Sequence, residues 1–196
     1  MKRLLISASL AASALLPAAA HAQAIPAAVI AVVDLEKVTS TCRACSAART
    51  ALQSQISGLQ SRQQALAAPL QTEQKSIQAA IDALNGKDPD AALQNRIKAF
   101  QAKQQQAEQE LASRQQQIQA NSQYVNKQIS DKLNPIYSQV MQKRGANLMV
   151  EIGQTLASGQ SLDVTNDILT ALNAALPSVQ TTAPAAPARQ NQPQGR

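Results

Sequence analysis

A helical hairpin almost free of aromatic residues dominates this chain. Apolar positions recur at heptad spacing from about Leu52 to Val140, broken once at Asn85-Gly86-Lys87-Asp88-Pro89. The ascending register steps by four and three through Leu52, Ile56, Leu59, Gln63, Leu66, Leu70, Glu73, Ile77, Ala80 and Leu84. The descending register runs through Leu93, Ile97, Phe100, Gln104, Ala107, Leu111, Arg114, Ile118, Asn121 and Val125. It then slips to Ile129, Leu133, Ile136 and Val140, and a slip of this kind changes the local supercoil. Two helices with one apolar stripe each cannot enclose a compact core. The hairpin must project from a base, pair with copies of itself, or hold something. With about 45 residues per helix, such an arm would extend about 65 Å.

The helix surfaces are hydrated with little charge: 20 glutamines lie between Gln53 and Gln128. Polar residues at seam positions (Gln63, Glu73, Gln104, Arg114, Asn121) weaken pairing and tend to fix register. Pro69 and Pro135 each remove a backbone donor inside a helix, so a kink or a point of flexion is expected at both.

Residues 1–22 read as a secretory signal peptide. Lys2 and Arg3 form the basic region, Leu4 to Leu16 the apolar stretch, and Ala20-His21-Ala22 the cleavage site. The apolar run is too short and too rich in Ala and Ser for a bilayer span, which needs about 20 residues. The expected location is therefore the periplasm. Cleavage would leave 174 of the 196 residues and lower the net charge from +6 to +4. It would also remove His21, the one histidine, and with it His-dependent triads and His-ligated metals. No metal or other cofactor is expected. A modest basic excess favours acidic partners or anionic membrane surfaces. Nucleic acid is not expected as a partner, because no dense Arg/Lys stripe exists.

Around the hairpin the pattern changes. Ala28 to Leu35 is a β-branched run that reads as a buried strand. Thr39 to Leu84 reads as the ascending helix and Asp90 to Arg144 as the descending one. Asn147 to Ile152 reads as a second strand, and Gln154 to Ala157 could add a short third. Thr165 is a candidate N-cap for a helix over 166–176, which Pro177 would end. The segment from Pro177 to Arg196 is rich in Pro, Ala and Gln without periodicity, so disorder is expected. The resulting division is a signal peptide at 1–22, a small β/α body from 23–38 and 145–176, an arm at 39–144 with its tip near 85–89, and a tail at 177–196. The fold class is α+β, mostly α. A base of about 50 residues without tryptophan is marginal alone. Strand Val29–Val33 is apolar on both faces and needs cover on both sides, which association of bases would supply.

Cys42-Arg-Ala-Cys45 admits three readings. It can be a local disulfide at the helix start, a pairing between subunits, or a C-x-x-C thiol–disulfide exchange site. Exchange sites of that type sit after a strand in a βαβ unit, whereas this one opens a coiled-coil arm. Zinc would need more ligands than two thiolates. No carboxylate pair or nucleophile with a base stands out, so enzymatic activity is not expected.

The layout resembles the Skp/OmpH family of periplasmic chaperones. The matching pieces are the signal peptide, Ile30-Ala-Val-Val-Asp-Leu-Glu-Lys-Val38, the Gln-rich hairpin, Gly145-Ala-Asn-Leu-Met-Val-Glu-Ile152, and Leu162-Asp-Val-Thr-Asn-Asp-Ile-Leu169. The resemblance spans about residues 28–176. It implies a jellyfish-like homotrimer with three helical arms on a β-rich trimerisation body. It implies an ATP-independent holdase that keeps unfolded outer-membrane proteins soluble, with possible contact to lipopolysaccharide or anionic membrane. The sequence carries no G-x-x-x-x-G-K phosphate loop, in keeping with that. Arg96, Lys98 and Lys103, with Lys87 at the turn, are the candidates for the basic client-facing or membrane-facing role. A structural coiled-coil scaffold is the alternative function, and a C-x-x-C oxidoreductase a further one.

Overall fold

The computed structural model describes residues 26–184. The element order is β1 (Ile30–Val33), α1 (Leu35–Thr41), α2 (Arg43–Asp82), α3 (Ala91–Arg144), β2 (Leu148–Glu151) and α4 (Thr165–Ala175). Two short 3-10 turns, Ile152–Gln154 and Gln160–Leu162, separate β2 from α4. The fold is α+β and mostly helical, with long helices and one small sheet. The signal peptide expected at 1–22 and the end of the tail fall outside the described residues.

The sheet joins the two ends of the hairpin. β1 and β2 pair in parallel, with Ile30 opposite Leu148 and Val33 opposite Glu151. A parallel pair needs a long crossover, and here the crossover is the whole arm. The side chain of Asn147 fastens the entry: its Oδ1 accepts from Val29 N–H at 2.7 Å, and its Nδ2 donates to the Ala27 carbonyl at 2.8 Å. On the other edge of β1, Val32 bridges Asp163, and Val164 N–H donates to the Val32 carbonyl.

The helix boundaries have local causes. Asp34 ends the strand and caps α1, its carboxylate accepting from Lys37 N–H at 2.7 Å. The ascending helix therefore begins at Leu35, earlier than expected, and breaks at Cys42, where ψ turns to 127°. Cys42 Sγ then accepts from Cys45 N–H, and Asn173 Oδ1 accepts from Arg43 N–H at 2.9 Å, which satisfies donors at the start of α2. At the arm's far end Asn85 and Gly86 adopt positive φ, and Asp90 caps α3 through Leu93 N–H. Gly145, at φ +68°, closes α3 in the left-handed region, with Ala146 N–H donating back to the Met141 carbonyl. Both helices run unbroken through Pro69 and Pro135.

Two local expectations fail. Thr165 does not cap α4. Its hydroxyl accepts from Asp34 N–H at 2.9 Å, while Asp163 accepts from Thr165 N–H at 2.8 Å. Hydrogen bonds from Thr165 hold the Asp163 carboxyl below its ordinary range. Residues 154–157 form no strand, because the chain turns at Ile152–Gln154.

One continuous core sits at the base. Ala31 and Val33 meet Val38, the cysteines, Leu133, Ile136 and Val140 of α3, and Val164, Ile168, Leu172 and Leu176. Ile168, Leu172 and Val38 are fully buried, and Val32, on the opposite face of β1, is buried as well. Ala31 and Val33 are thus covered by the chain's own α1, α3 and α4, while Val29 and Ile30 at the entry to the strand stay exposed. Arg144 also ties α3 to the first turn of α4 through Asp167.

Candidate functional site

The arm offers surface rather than a closed site. Outside the base core, full burial along α2 and α3 is confined among the described residues to Ala48, Ile77, Ala107, Asn121 and Val125. Most other seam residues, such as Leu59, Leu66, Leu70, Ile97 and Leu111, are half-buried, and Ile56 is exposed. A cleft of about 430 Å³ opens between the helices around Leu66, Pro69, Leu70 and Ala107.

Ion pairs cross the seam where apolar burial is thin. Arg62 donates to both oxygens of Glu110 at 2.8 Å, and Arg114, one turn further along α3, donates to Glu110 Oε1, also at 2.8 Å. These bonds, Arg62's first, hold the Glu110 carboxyl down at about 2. Arg96 donates to Glu73 at 2.8 and 3.2 Å and to Ser76 Oγ at 2.8 Å. That bond from Arg96 lowers the Glu73 carboxyl below its usual range. The polar seam residues Glu73 and Arg114 are therefore cross-helix or same-helix partners of a defined kind, which the heptad pattern alone did not reveal.

The basic candidates divide. Arg96 is committed to Glu73 and Ser76. Lys87, at the tip, and Lys98 and Lys103, on α3, are exposed and form no salt bridge among the described residues. The structure brings Lys103 to the cleft that also holds Glu73, but it does not gather the three lysines into one cluster.

The cysteine pair lies at the other end of the molecule. A disulfide joins Cys42 and Cys45, with Cα atoms 5.2 Å apart. Their exposures are 0% and 4%, inside the base core. Low exposure of this kind shields both sulfurs from most of the solvent. Among the described residues no group of His, Cys, Asp and Glu is arranged to hold a metal ion.

At the base, β2 pairs only with β1, which leaves its outer edge without a strand partner among the described residues. Several apolar side chains of the base are exposed: Val29, Ile30, Leu148 and Leu162, with Leu156 fully in solvent. A depression of about 260 Å³ is lined by Val33, Leu35, Tyr137, Met149 and Glu151. Burial there raises the Tyr137 hydroxyl pKa.

Residues 177–184 lie along the root of the arm, held by side chains of Gln55, Asn121 and Gln128, and the rest of the tail expected to be disordered falls outside the described residues. Sequence reasoning missed these three residues as a group. The available signal was the alternation of small and polar residues from Ser178 to Ala183, which the Pro/Ala/Gln composition obscured.

A helical-hairpin arm on a small parallel-sheet base defines an α+β fold with a long helical arm. The profile of the family described as "Outer membrane protein (OmpH-like)" matches residues 29–172. The chain belongs to the OmpH-like family. Among solved structures, it is similar to that of a candidate OmpH-like outer membrane chaperone from Caulobacter crescentus CB15. The TM-score is 0.67 at 16% identity, over 83% of this chain and 94% of the other. At that identity the likeness establishes the fold. A search of curated proteins finds no match.

Proposed function

We propose that this protein is an ATP-independent periplasmic holdase chaperone for unfolded outer-membrane β-barrel proteins. The observation that carries the reading is the arm itself: helices of 40 and 54 residues that fully bury five side chains outside the base core. Such an arm exposes many small apolar and amide contacts and no deep pocket. An unfolded barrel protein presents alternating apolar residues and unpaired strand edges. Many weak contacts hold such a client by multivalency, and each remains exchangeable. Release then follows from the downhill folding of the client and requires no nucleotide.

Several arms are needed to surround a client, and the base supplies the means of association. The open edge of β2 is a template for further pairing, and the apolar residues beside it would be covered by a neighbour. Leu156 fits the role of a side chain inserted into the depression at Tyr137 and Met149 of the next copy. Three copies would place three arms around one cavity. Lys87, Lys98 and Lys103 would face acidic client segments, anionic lipid or lipopolysaccharide, while Arg96 holds the two helices together.

The test is dilution of a urea-unfolded outer-membrane β-barrel protein into buffer without nucleotide, with the chaperone titrated. Suppression of aggregation that saturates near one oligomer per client is expected. Absence of suppression at several-fold excess would leave a structural scaffold as the reading.

A further inference from the structure

The segment after α4 shows how an extended chain sits on this arm. From Pro177 to Pro184 exposure alternates: Val179, Thr181 and Ala183 are half-buried, while Ser178, Gln180, Thr182 and Pro184 are exposed. This period of two is that of a half-buried strand. Val179 packs against the edge of the base core. The strap is not part of a sheet, since no strand lies beside it.

Its backbone is read by amide side chains. Gln128 makes a two-way contact with one residue: its Oε1 accepts from Gln180 N–H at 3.0 Å, and its Nε2 donates to the Gln180 carbonyl at 2.9 Å. Gln55 Nε2 donates to the Thr181 carbonyl at 3.0 Å. Asn121 Oδ1 accepts from Ala183 N–H at 2.8 Å. Asn121 is 3% exposed, and its Nδ2 donates to Gln55 Oε1 at 2.7 Å, so α2 and α3 present a joined amide pair to the strap. These four bonds contact main-chain atoms that every non-proline residue carries. The inward positions hold valine, threonine and alanine, so the groove accepts small side chains at alternate places.

We infer that the α2–α3 groove at the arm root, built on Gln55, Asn121 and Gln128, is a binding site for an extended polypeptide segment with small side chains at alternate positions, and that residues 178–184 occupy it in cis. This inference rests on the holdase reading and deepens it, because it assigns a place where a client strand is held. The occupant is a strand-forming segment of an unfolded chain. Such segments of barrel proteins alternate with a period of two, as the strap does. Tethered directly to α4, the strap acts at an effective concentration in the millimolar range. It therefore excludes single weak segments and yields to a client that also engages the rest of the arm.

The experiment compares the full chain with a chain ending at Val179, which keeps the packing of Leu176 and Val179. The probes are labelled, end-blocked pentapeptides: one with the sequence of residues 180–184, one alternating threonine and valine, and a third N-methylated at the position of Gln180. The shortened chain should bind the first two about tenfold more tightly than the full chain. N-methylation of the probe, and Gln128→Ala in the shortened chain, should each weaken binding about fivefold, as expected for a lost hydrogen bond. Circular dichroism and urea midpoints establish that every variant folds. Equal binding by the full and shortened chains overturns the inference, as does absence of binding by a folded shortened chain. Binding of the first peptide without the second overturns the client assignment. The aggregation assay on the same two chains separates the failures. Suppression without peptide binding sinks the groove and leaves the holdase standing. Peptide binding without suppression sinks the holdase reading.

Discussion

Base and arm are stabilised by different physics within one chain. At the base, helices from distant parts of the sequence converge on Ile168, Leu172, Val38 and Cys42, all fully buried. In the arm, two long helices meet along a seam whose residues are mostly half-exposed, joined by Arg62–Glu110 and Arg96–Glu73. Apolar burial contributes roughly 25 cal/mol per Å², so the base carries most of the folding stability. Exposed ion pairs and half-buried stripes leave the arm at the low end of local stability, where opening is frequent. Under the proposed holdase function, that difference lets the arm separate or bend while its anchor stays folded.

The difference is broken most directly by cavities. Ile168→Ala should cost about 3 kcal/mol or more, because the site is fully enclosed. Leu70→Ala, at a half-buried seam position, should cost below about 1 kcal/mol. Urea unfolding followed by circular dichroism reads both. Equal losses would show that base and arm unfold as one cooperative unit of uniform packing.

The disulfide should give the next largest effect. Cys42 and Cys45 enclose a very short loop. Chain-entropy reasoning gives about 2 kcal/mol for such a crosslink. The double substitution Cys42→Ala with Cys45→Ala should lower the urea midpoint accordingly. Hydrogen exchange in residues 60–115 should not change. Accelerated exchange there would mean that the break between α1 and α2 sets the geometry of the whole arm.

Much of this division was legible in the sequence. The heptads gave both helices and the turn near Asn85-Gly86, since Asp90 and Gly145 carry ordinary cap chemistry. The register slip after Val125 has a clear counterpart: beyond it, Leu133, Ile136 and Val140 leave the seam and enter the base core. The separate helix α1 was hidden in the sequence. Leu35 to Thr41 looked like the end of a strand and the start of the arm, and only Asp34's bond to Lys37 N–H reveals a separate helix. Thr165 failed as a cap because tertiary pairing with Asp34 outcompeted the local bond. The strap was illegible for a further reason. Its order comes from Gln55, Asn121 and Gln128, and composition describes a segment without its neighbours.

The smallest expected effect is also the sharpest probe of the arm. The folded-state pKa of Glu110 is depressed to about 2 by Arg62 and Arg114. A depressed carboxyl contributes stability that is fully present above its ordinary pKa of 4.5 and is lost as pH falls through the folded value. The bridge to α2 should therefore weaken between about pH 4.5 and pH 2. Because the Glu110 side chain is 28% exposed and that of Arg62 43%, salt should screen the contribution. Labels placed at residues 61 and 113 should report a wider helix separation just below about pH 2 than at pH 6 in low salt, with a reduced difference at 1 M salt. Glu110→Gln should show the wide separation at both pH values. Tryptophan-free near-ultraviolet and thermal signals from the base should stay unchanged throughout. A loss of base structure in the same pH range would place the acid-sensitive group outside the arm, with Asp163, held low by Thr165, as the residue to test next.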